Sequence, residues 1–82
     1  MRRNKYAIIA DILGNVEKVS KVTEIMHDAR LSFRQWVTYR DFLLKKELMT
    51  EKNNSNDKKL YVISEKGRKF RKGYEEIKGY LA

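Results

Sequence analysis

The amino-acid sequence predicts an α+β domain with three helices, a two-stranded β-hairpin and a closing C-terminal helix. Apolar residues recur at helical spacing in separate segments, and a β-rich segment follows the polar run at residues 53–57. The chain has 82 residues, which fits one small domain and leaves no room for a second. We therefore expect residues 1–82 to fold as one unit that ends in a helix over residues 65–82.

The first part of the chain predicts two helices joined by a short connection. Aliphatic residues at helical spacing mark a first helix over residues 6–13, and Gly14 stands where a C-terminal cap belongs. The mixed segment 15–19 has the length of a brief strand. Ser20 is then the expected N-cap of a second helix that runs to about Asp28.

The third helix has the clearest start signal in the sequence. Ser32 and Gln35 have the spacing of a capping box, and Leu31 and Trp36 lie where a hydrophobic staple forms. The helix is expected to continue to about Glu47, because no helix breaker intervenes. Its predicted buried arc comprises Phe33, Trp36, Val37, Tyr39, Leu43 and Leu44, and its solvent face comprises Arg34, Thr38, Asp41 and Lys45.

The second part predicts the hairpin and the closing helix. Strands are expected over residues 48–52 and 59–64, joined by a long tip rich in Asn, and Ser64 is the expected cap of the helix that follows. The apolar residues of that helix are Phe70, Tyr74, Ile77 and Leu81, at spacings of four, three and four. With a short turn before the third helix, this is the element order of a winged helix-turn-helix, in which the third helix is the recognition helix and the hairpin is the wing.

Four short motifs strengthen this interpretation: Ile25-Met26, Leu31-Ser32, Phe42-Leu43-Leu44 after Tyr39, and Ser64-Glu65-Lys66-Gly67. Together they resemble the small archaeal winged-helix DNA-binding proteins, including the crenarchaeal chromatin-protein type, over residues 7–74. The resemblance implies that the third helix enters the major groove, that the wing touches the DNA backbone, and that the C-terminal helix pairs two subunits. Arg40 departs from the pattern, in which its position is usually apolar.

The charge balance indicates the partner. Lys and Arg number 19 against 11 Asp and Glu, which leaves a net charge of +8 and a pI near 9.8. Such a chain favours a polyanion, and we expect double-stranded DNA. For the polar helix face the alternative is simple solvation, and for the wing it is protection of an edge strand by charge. The candidate DNA contacts are Ser32, Arg34, Gln35 and Thr38 on the third helix, Lys52, Asn54, Lys58 and Lys59 on the wing, and Arg2 and Arg3 at the N-terminus.

A second candidate surface is the apolar seam of the closing helix, formed by Tyr74, Ile77, Tyr80 and Leu81. The seam predicts a homodimer, because a small domain has little core in which to bury it. The alternative is packing against the first helix of the same chain. We expect the early part of the closing helix to pack internally and residues 77–81 to meet the partner.

The residue types indicate a binding protein rather than an enzyme. No nucleophile stands beside a recognisable base, and no glycine-rich phosphate loop is present. With no Cys and with His27 as the sole histidine, neither a metal nor another cofactor is expected. The longest apolar run, residues 6–10, is far too short to span a bilayer, so a cytoplasmic, nucleoid-associated location is expected.

The predicted function is DNA binding in transcription regulation or chromatin. The first alternative is a winged-helix module for protein–protein interaction in the transcription machinery, against which the basic charge argues. RNA binding by the same fold is the second alternative. The salt dependence of duplex binding separates the first alternative from the prediction, because only phosphate contact releases counterions.

Overall fold

The computed structural model describes residues 4–81 and has the winged helix-turn-helix architecture that the sequence predicts. Arg2 and Arg3, both predicted to contact DNA, lie outside the described residues. The elements are α1 (Lys5–Asn15), β1 (Ser20–Lys21), α2 (Val22–Ala29), α3 (Phe33–Lys45), β2 (Met49–Asn53), β3 (Lys59–Ile63) and α4 (Glu65–Leu81).

The sheet is antiparallel, with the strand order β1-β3-β2. The β2–β3 hairpin is the predicted wing, and we use the name wing for residues 49–63. At its centre Glu51 lies opposite Tyr61. β1 adds a third strand to the predicted two-stranded hairpin, because Ser20 pairs with Tyr61 on the other edge of β3. The brief strand expected at residues 15–19 therefore lies slightly later in the chain.

Ser20 does not cap α2 as expected. Its side chain is buried, and its hydroxyl lies 2.8 Å from the carbonyl oxygen of Asn15 and 2.9 Å from that of Lys18. The hydroxyl therefore closes the turn after α1. Lys21 precedes α2 instead, and the Glu24 carboxylate accepts a hydrogen bond from the Lys21 backbone N–H at 3.2 Å.

Gly14 does not end α1, which continues to Asn15. A Cβ at Gly14 would lie only 3.3 Å from Nη2 of Arg71. Arg71 Nη1 lies 3.0 Å from Glu17 Oε1, and Arg68 Nε lies 3.4 Å from Glu17 Oε2. The glycine thus leaves room for an α4 arginine to pass α1 and reach a carboxylate beyond it.

α3 begins as the sequence predicts. Ser32 Oγ accepts a hydrogen bond from the Gln35 backbone N–H at 3.2 Å, and Gln35 Oε1 accepts one from the Ser32 backbone N–H at 3.0 Å. These two bonds complete the predicted capping box. Leu31 and Trp36 are both buried, in agreement with the staple. α3 ends at Lys45, slightly earlier than expected.

The core lies between the helices and the sheet. Trp36 is 0% exposed, and its ring meets that of Tyr61 edge-on, with centroids 5.1 Å apart. Four residues of the predicted buried arc differ, because neighbouring elements cover only part of it: Phe33 is 64% exposed, and Val37, Tyr39 and Leu44 are only half-buried. The largest fully buried side chains are Trp36, Tyr61, Ile9, Ile12, Leu13, Ile25, Leu43, Met49 and Val16.

Ser64 joins the end of the wing to the elements on either side. Its hydroxyl accepts a hydrogen bond from the Gly67 N–H at 2.9 Å, which confirms the predicted cap of α4, and donates one to the Glu47 carbonyl at 2.7 Å. The Ser64 backbone N–H donates to the Leu48 carbonyl at 3.1 Å. Gly67 is buried there, and a Cβ would overlap the Leu48 carbonyl oxygen. The two ends of the wing are thereby held together.

Candidate nucleic-acid interface

The predicted solvent face of α3 is exposed in the structure. It carries Arg34, Thr38, Asp41 and Lys45. The Arg34 side chain has no hydrogen-bond or ion-pair partner within residues 4–81, so its N–H donors are available to a ligand. Asp41 is paired with Nη2 of Arg40 at 3.0 Å, which offsets the one negative charge on this face.

The other α3 residues predicted to contact DNA already hold hydrogen bonds. Ser32 and Gln35 satisfy each other in the capping box. Because a glutamine that reads adenine uses both ends of its amide, this cap competes with base reading by Gln35. The Thr38 hydroxyl donates to the Arg34 carbonyl at 3.1 Å, which leaves its lone pairs and its methyl group. Arg34 is therefore the least committed polar side chain of this set.

The wing presents its predicted lysines unequally. Lys52 and Lys58 are exposed, and neither has an ion-pair partner in the described part of the chain. Lys59 is also exposed, but its Nζ lies 3.3 Å from Glu51 Oε1. A phosphate would have to compete with that carboxylate for Lys59. Lys52 and Lys58 are consequently the stronger candidates for backbone contact.

Asn54 shapes the tip of the wing. Its Oδ1 accepts hydrogen bonds from the backbone N–H groups of Asn56 at 2.9 Å and Lys58 at 3.0 Å. Asp57 adopts the left-handed conformation, with φ 59°, as the chain turns back. Only the amide NH₂ of Asn54 remains for a ligand, so its main contribution here is to hold the tip that displays Lys58.

A polar network connects the wing to α3. The Tyr61 hydroxyl donates to Glu51 Oε2 at 2.7 Å, and this hydrogen bond lowers the pKa of Glu51, with Lys59 acting in the same direction. Burial raises the pKa of Tyr61 to about 12, and Glu51 adds to the rise. Arg40 of α3 acts on the Tyr61 hydroxyl in the opposite direction. α3 and the wing thus share one group of interacting side chains.

The members of this network, Arg40, Glu51 and Tyr61, were not among the predicted site residues. Arg40 stood out only as a charged residue at a position that is apolar in similar proteins. The register of the hairpin was the available signal for the other two. Once the tip is placed at residues 54–58, Glu51 and Tyr61 become cross-strand partners.

The basic residues of α4 divide into two groups. Arg68 and Arg71 are held by Glu17, as described above. The lysines at 66, 69 and 72 are exposed and have no ion pair within residues 4–81. Two of the five basic residues at positions 66–72 are therefore committed to the contact between α4 and the turn after α1.

The end of α4 leaves apolar side chains exposed. Ile77 is 60% exposed and Leu81 82%, whereas Tyr74 is half-buried. An open groove of about 710 Å³ runs between the start of α1 and α4, and we call it the α1–α4 groove. Tyr80, 90% exposed, does not line it. The groove is lined by Asn4, Tyr6, Lys69, Phe70, Gly73, Tyr74, Ile77, Lys78 and Leu81.

Comparison with known proteins places the chain in a family. The family model described as "Winged helix-turn-helix" matches residues 2–81. The chain belongs to the winged helix-turn-helix family. This winged helix-turn-helix chain is also similar to the crystal structure of Sso10a-2, a DNA-binding protein from Sulfolobus solfataricus. The match has a TM-score of 0.88 and 30% sequence identity, and covers 96% of this chain and 82% of that chain. No curated protein matches the sequence.

Within residues 4–81, no group of three or more His, Cys, Asp or Glu side chains is arranged to hold a metal ion. None of the helices in this described part combines the length and the apolar character needed to cross a bilayer. The exposed face of α3, the wing and the α1–α4 groove are the surfaces on which most of the predicted contact residues of the described chain lie.

Proposed function

We propose that this protein binds double-stranded DNA, as a transcription regulator or a nucleoid-associated chromatin protein, and that it does so without catalysis. The observation that carries the proposal is the unpartnered Arg34 on the exposed face of α3, on a chain with a net charge of +8. Arginine is the side chain that most often reads guanine in the major groove. The DNA-binding description of Sso10a-2 supports the same function.

In this proposal α3 lies in the major groove and the wing lies on the backbone. Arg34 and Thr38 contact base edges, while Ser32 and Gln35 hold the helix start at the DNA. Lys52 and Lys58 bind phosphates, with support from the lysine at 59, the Asn54 amide and the N-terminal arginines at 2 and 3.

The assembly we propose is a homodimer formed through the end of α4. Ile77 and Leu81 provide the exposed apolar surface, and the α1–α4 groove beside them adds Tyr6 and Tyr74. Burying these side chains against a second copy would remove apolar surface from water. A closed two-fold dimer would also let two copies of α3 reach successive major grooves, about 34 Å apart. Tyr80 lies outside the groove and is expected at the edge of this contact.

The decisive experiment is duplex DNA binding measured over a range of salt concentrations. We expect the logarithm of the binding constant to fall linearly with the logarithm of salt, with a slope that corresponds to roughly five to eight phosphate contacts per bound unit. Lys58→Gln should reduce the slope by about one contact. Lys18→Gln, an exposed lysine on the turn after α1, is the matched control and should leave the slope unchanged.

Other outcomes identify the alternatives. A slope near zero would contradict DNA binding and favour a protein–protein interaction module. Equal or tighter binding of structured RNA would favour the RNA-binding alternative. If duplex binding is found, selection from a random duplex pool separates the two DNA roles, because an enriched palindrome indicates a dimeric regulator and no enrichment indicates chromatin-type binding.

A further inference from the structure

Phe33 is the first residue of α3 and is 64% exposed. A single exposed aromatic residue is common on protein surfaces and alone indicates nothing. This one adjoins Arg34, the unpartnered arginine of the proposed recognition helix. Burying a phenylalanine side chain is favourable, and the described chain leaves most of this side chain in water.

The hydrogen bonds of α3 decide what kind of group this end of the helix can read. The Gln35 carbonyl oxygen is bonded to the Ser32 backbone, and the Thr38 hydroxyl donates to a carbonyl one turn earlier. The Gln35 amide NH₂ and the Thr38 lone pairs remain, and beside Arg34 the largest uncommitted apolar group is the ring of Phe33. The apolar feature of the major groove that a phenylalanine ring can contact is the C5-methyl group of thymine.

We infer that Phe33 determines base specificity by contacting thymine C5-methyl groups in the major groove. The inference rests on the proposed DNA binding and adds the base that is read. Arg34 supplies the charged contact at the same end of α3, and Phe33 supplies discrimination that does not depend on hydrogen bonds. Binding should consequently favour duplexes that carry C5-methyl groups where the first turn of α3 docks.

The test uses two duplex polymers that differ only in the methyl group, alternating poly(dA-dT) and alternating poly(dA-dU). The wild-type protein should bind the thymine polymer more tightly, by about fourfold for each methyl group contacted, as expected for one buried carbon. Phe33→Ala should bind the two polymers equally. Because Phe33 is exposed, this variant should retain the thermal unfolding midpoint of the wild type.

Two controls separate the methyl contact from other effects. Val19→Ala removes an exposed apolar side chain on the turn before β1 and should keep the full preference for thymine. Arg34→Ala should weaken binding to both polymers by the same factor, because a guanidinium donates hydrogen bonds and a methyl group cannot accept them. Dividing the thymine-to-uracil affinity ratio of the wild type by that of Phe33→Ala also cancels the effect of any difference in shape between the polymers.

Each outcome has a distinct meaning. Salt-dependent binding with no preference between the polymers overturns the inference and leaves the proposed DNA binding intact. A preference that survives in Phe33→Ala also overturns it, because another residue then reads the methyl group. Absence of salt-dependent binding to either polymer overturns the proposed function and the inference together.

Discussion

The hydroxyl of Tyr61 donates a 2.7 Å hydrogen bond to the carboxylate of Glu51 across the centre of the wing. The other end of the same tyrosine meets Trp36 of α3 edge-on, with ring centroids 5.1 Å apart. One side chain therefore contacts both of the elements proposed to bind DNA. The contact between Tyr61 and Trp36 therefore packs the wing directly against α3.

The first prediction concerns Tyr61 at high pH. Its pKa is raised to about 12, so the folded protein favours the protonated phenol more than the unfolded chain does, where the pKa is about 10. This contribution to stability is fully present below pH 10 and is lost as the pH rises from about 10 to 12. Tyr61→Phe lacks the ionisable group, so its unfolding free energy should fall less steeply over that interval. Parallel slopes for the two proteins would contradict the assignment.

The second prediction concerns the glycine at the start of α4. Gly67→Ala should destabilise the fold by about 2–3 kcal/mol, because the added Cβ would overlap the Leu48 carbonyl oxygen at the base of the wing. Gly79→Ala is the matched control, since a Cβ there has nothing within 4 Å and alanine favours the helix by up to about 1 kcal/mol. Chemical denaturation of both variants checks this. Equal stabilities would show that the wing base moves freely to accept the methyl group.

The third prediction separates base reading from phosphate binding. Arg34→Ala should change the sequences selected from a random duplex pool, with a loss of about 1–3 kcal/mol on the preferred sites. Lys52→Ala combined with Lys58→Ala should weaken binding to all sequences by a similar factor, because phosphates carry no sequence information. Affinities over a panel of duplexes are the measurement. Similar profiles for the two variants would place α3 outside the major groove.

The fourth prediction concerns assembly. Ile77→Lys combined with Leu81→Lys should give a monomer that remains folded, because both residues are exposed and lie outside the core. Tyr80→Lys is the control and should leave the dimer largely intact, since Tyr80 does not line the α1–α4 groove. Sedimentation and thermal unfolding test the three proteins together. A mass that is unchanged, or that falls only with unfolding, would argue against the dimer.

The features of the fold that depend on residues close together in the sequence were predictable. The capping box of Ser32 and Gln35 is encoded within four positions, and the structure contains it where the sequence places it. Ser20 and Gly14 were misassigned because their surroundings come from distant parts of the chain. β3 recruits Ser20 into the sheet, and an α4 arginine crosses at Gly14. Local patterns carry no information about either neighbour.

The sequence predicted which residues of the candidate site are exposed, but not which of their polar groups are free to bind a ligand. The angular position of each residue on α3, at 100° per residue, predicted that Arg34 and Thr38 face solvent, and both are exposed. The same calculation placed Phe33 in the core. It was wrong there because the angular position of a residue does not show how far the neighbouring elements extend along the helix. Sequence also could not reveal that Asn54 and Lys59 already bond within the wing, since those contacts depend on the shape of the tip and the hairpin register.

The hydrogen bonds of Ser64 to the carbonyl groups of Glu47 and Leu48 hold the two ends of the wing together at its base, and they involve no residue of the tip. Lengthening a loop adds only about 0.6 kcal/mol of closure entropy for each doubling. Residues inserted between 54 and 58 would therefore extend the reach of the wing along a ligand while the helices keep their relative positions. The tip is a region in which length can be varied, by engineering or during divergence, without redesigning the rest of the domain.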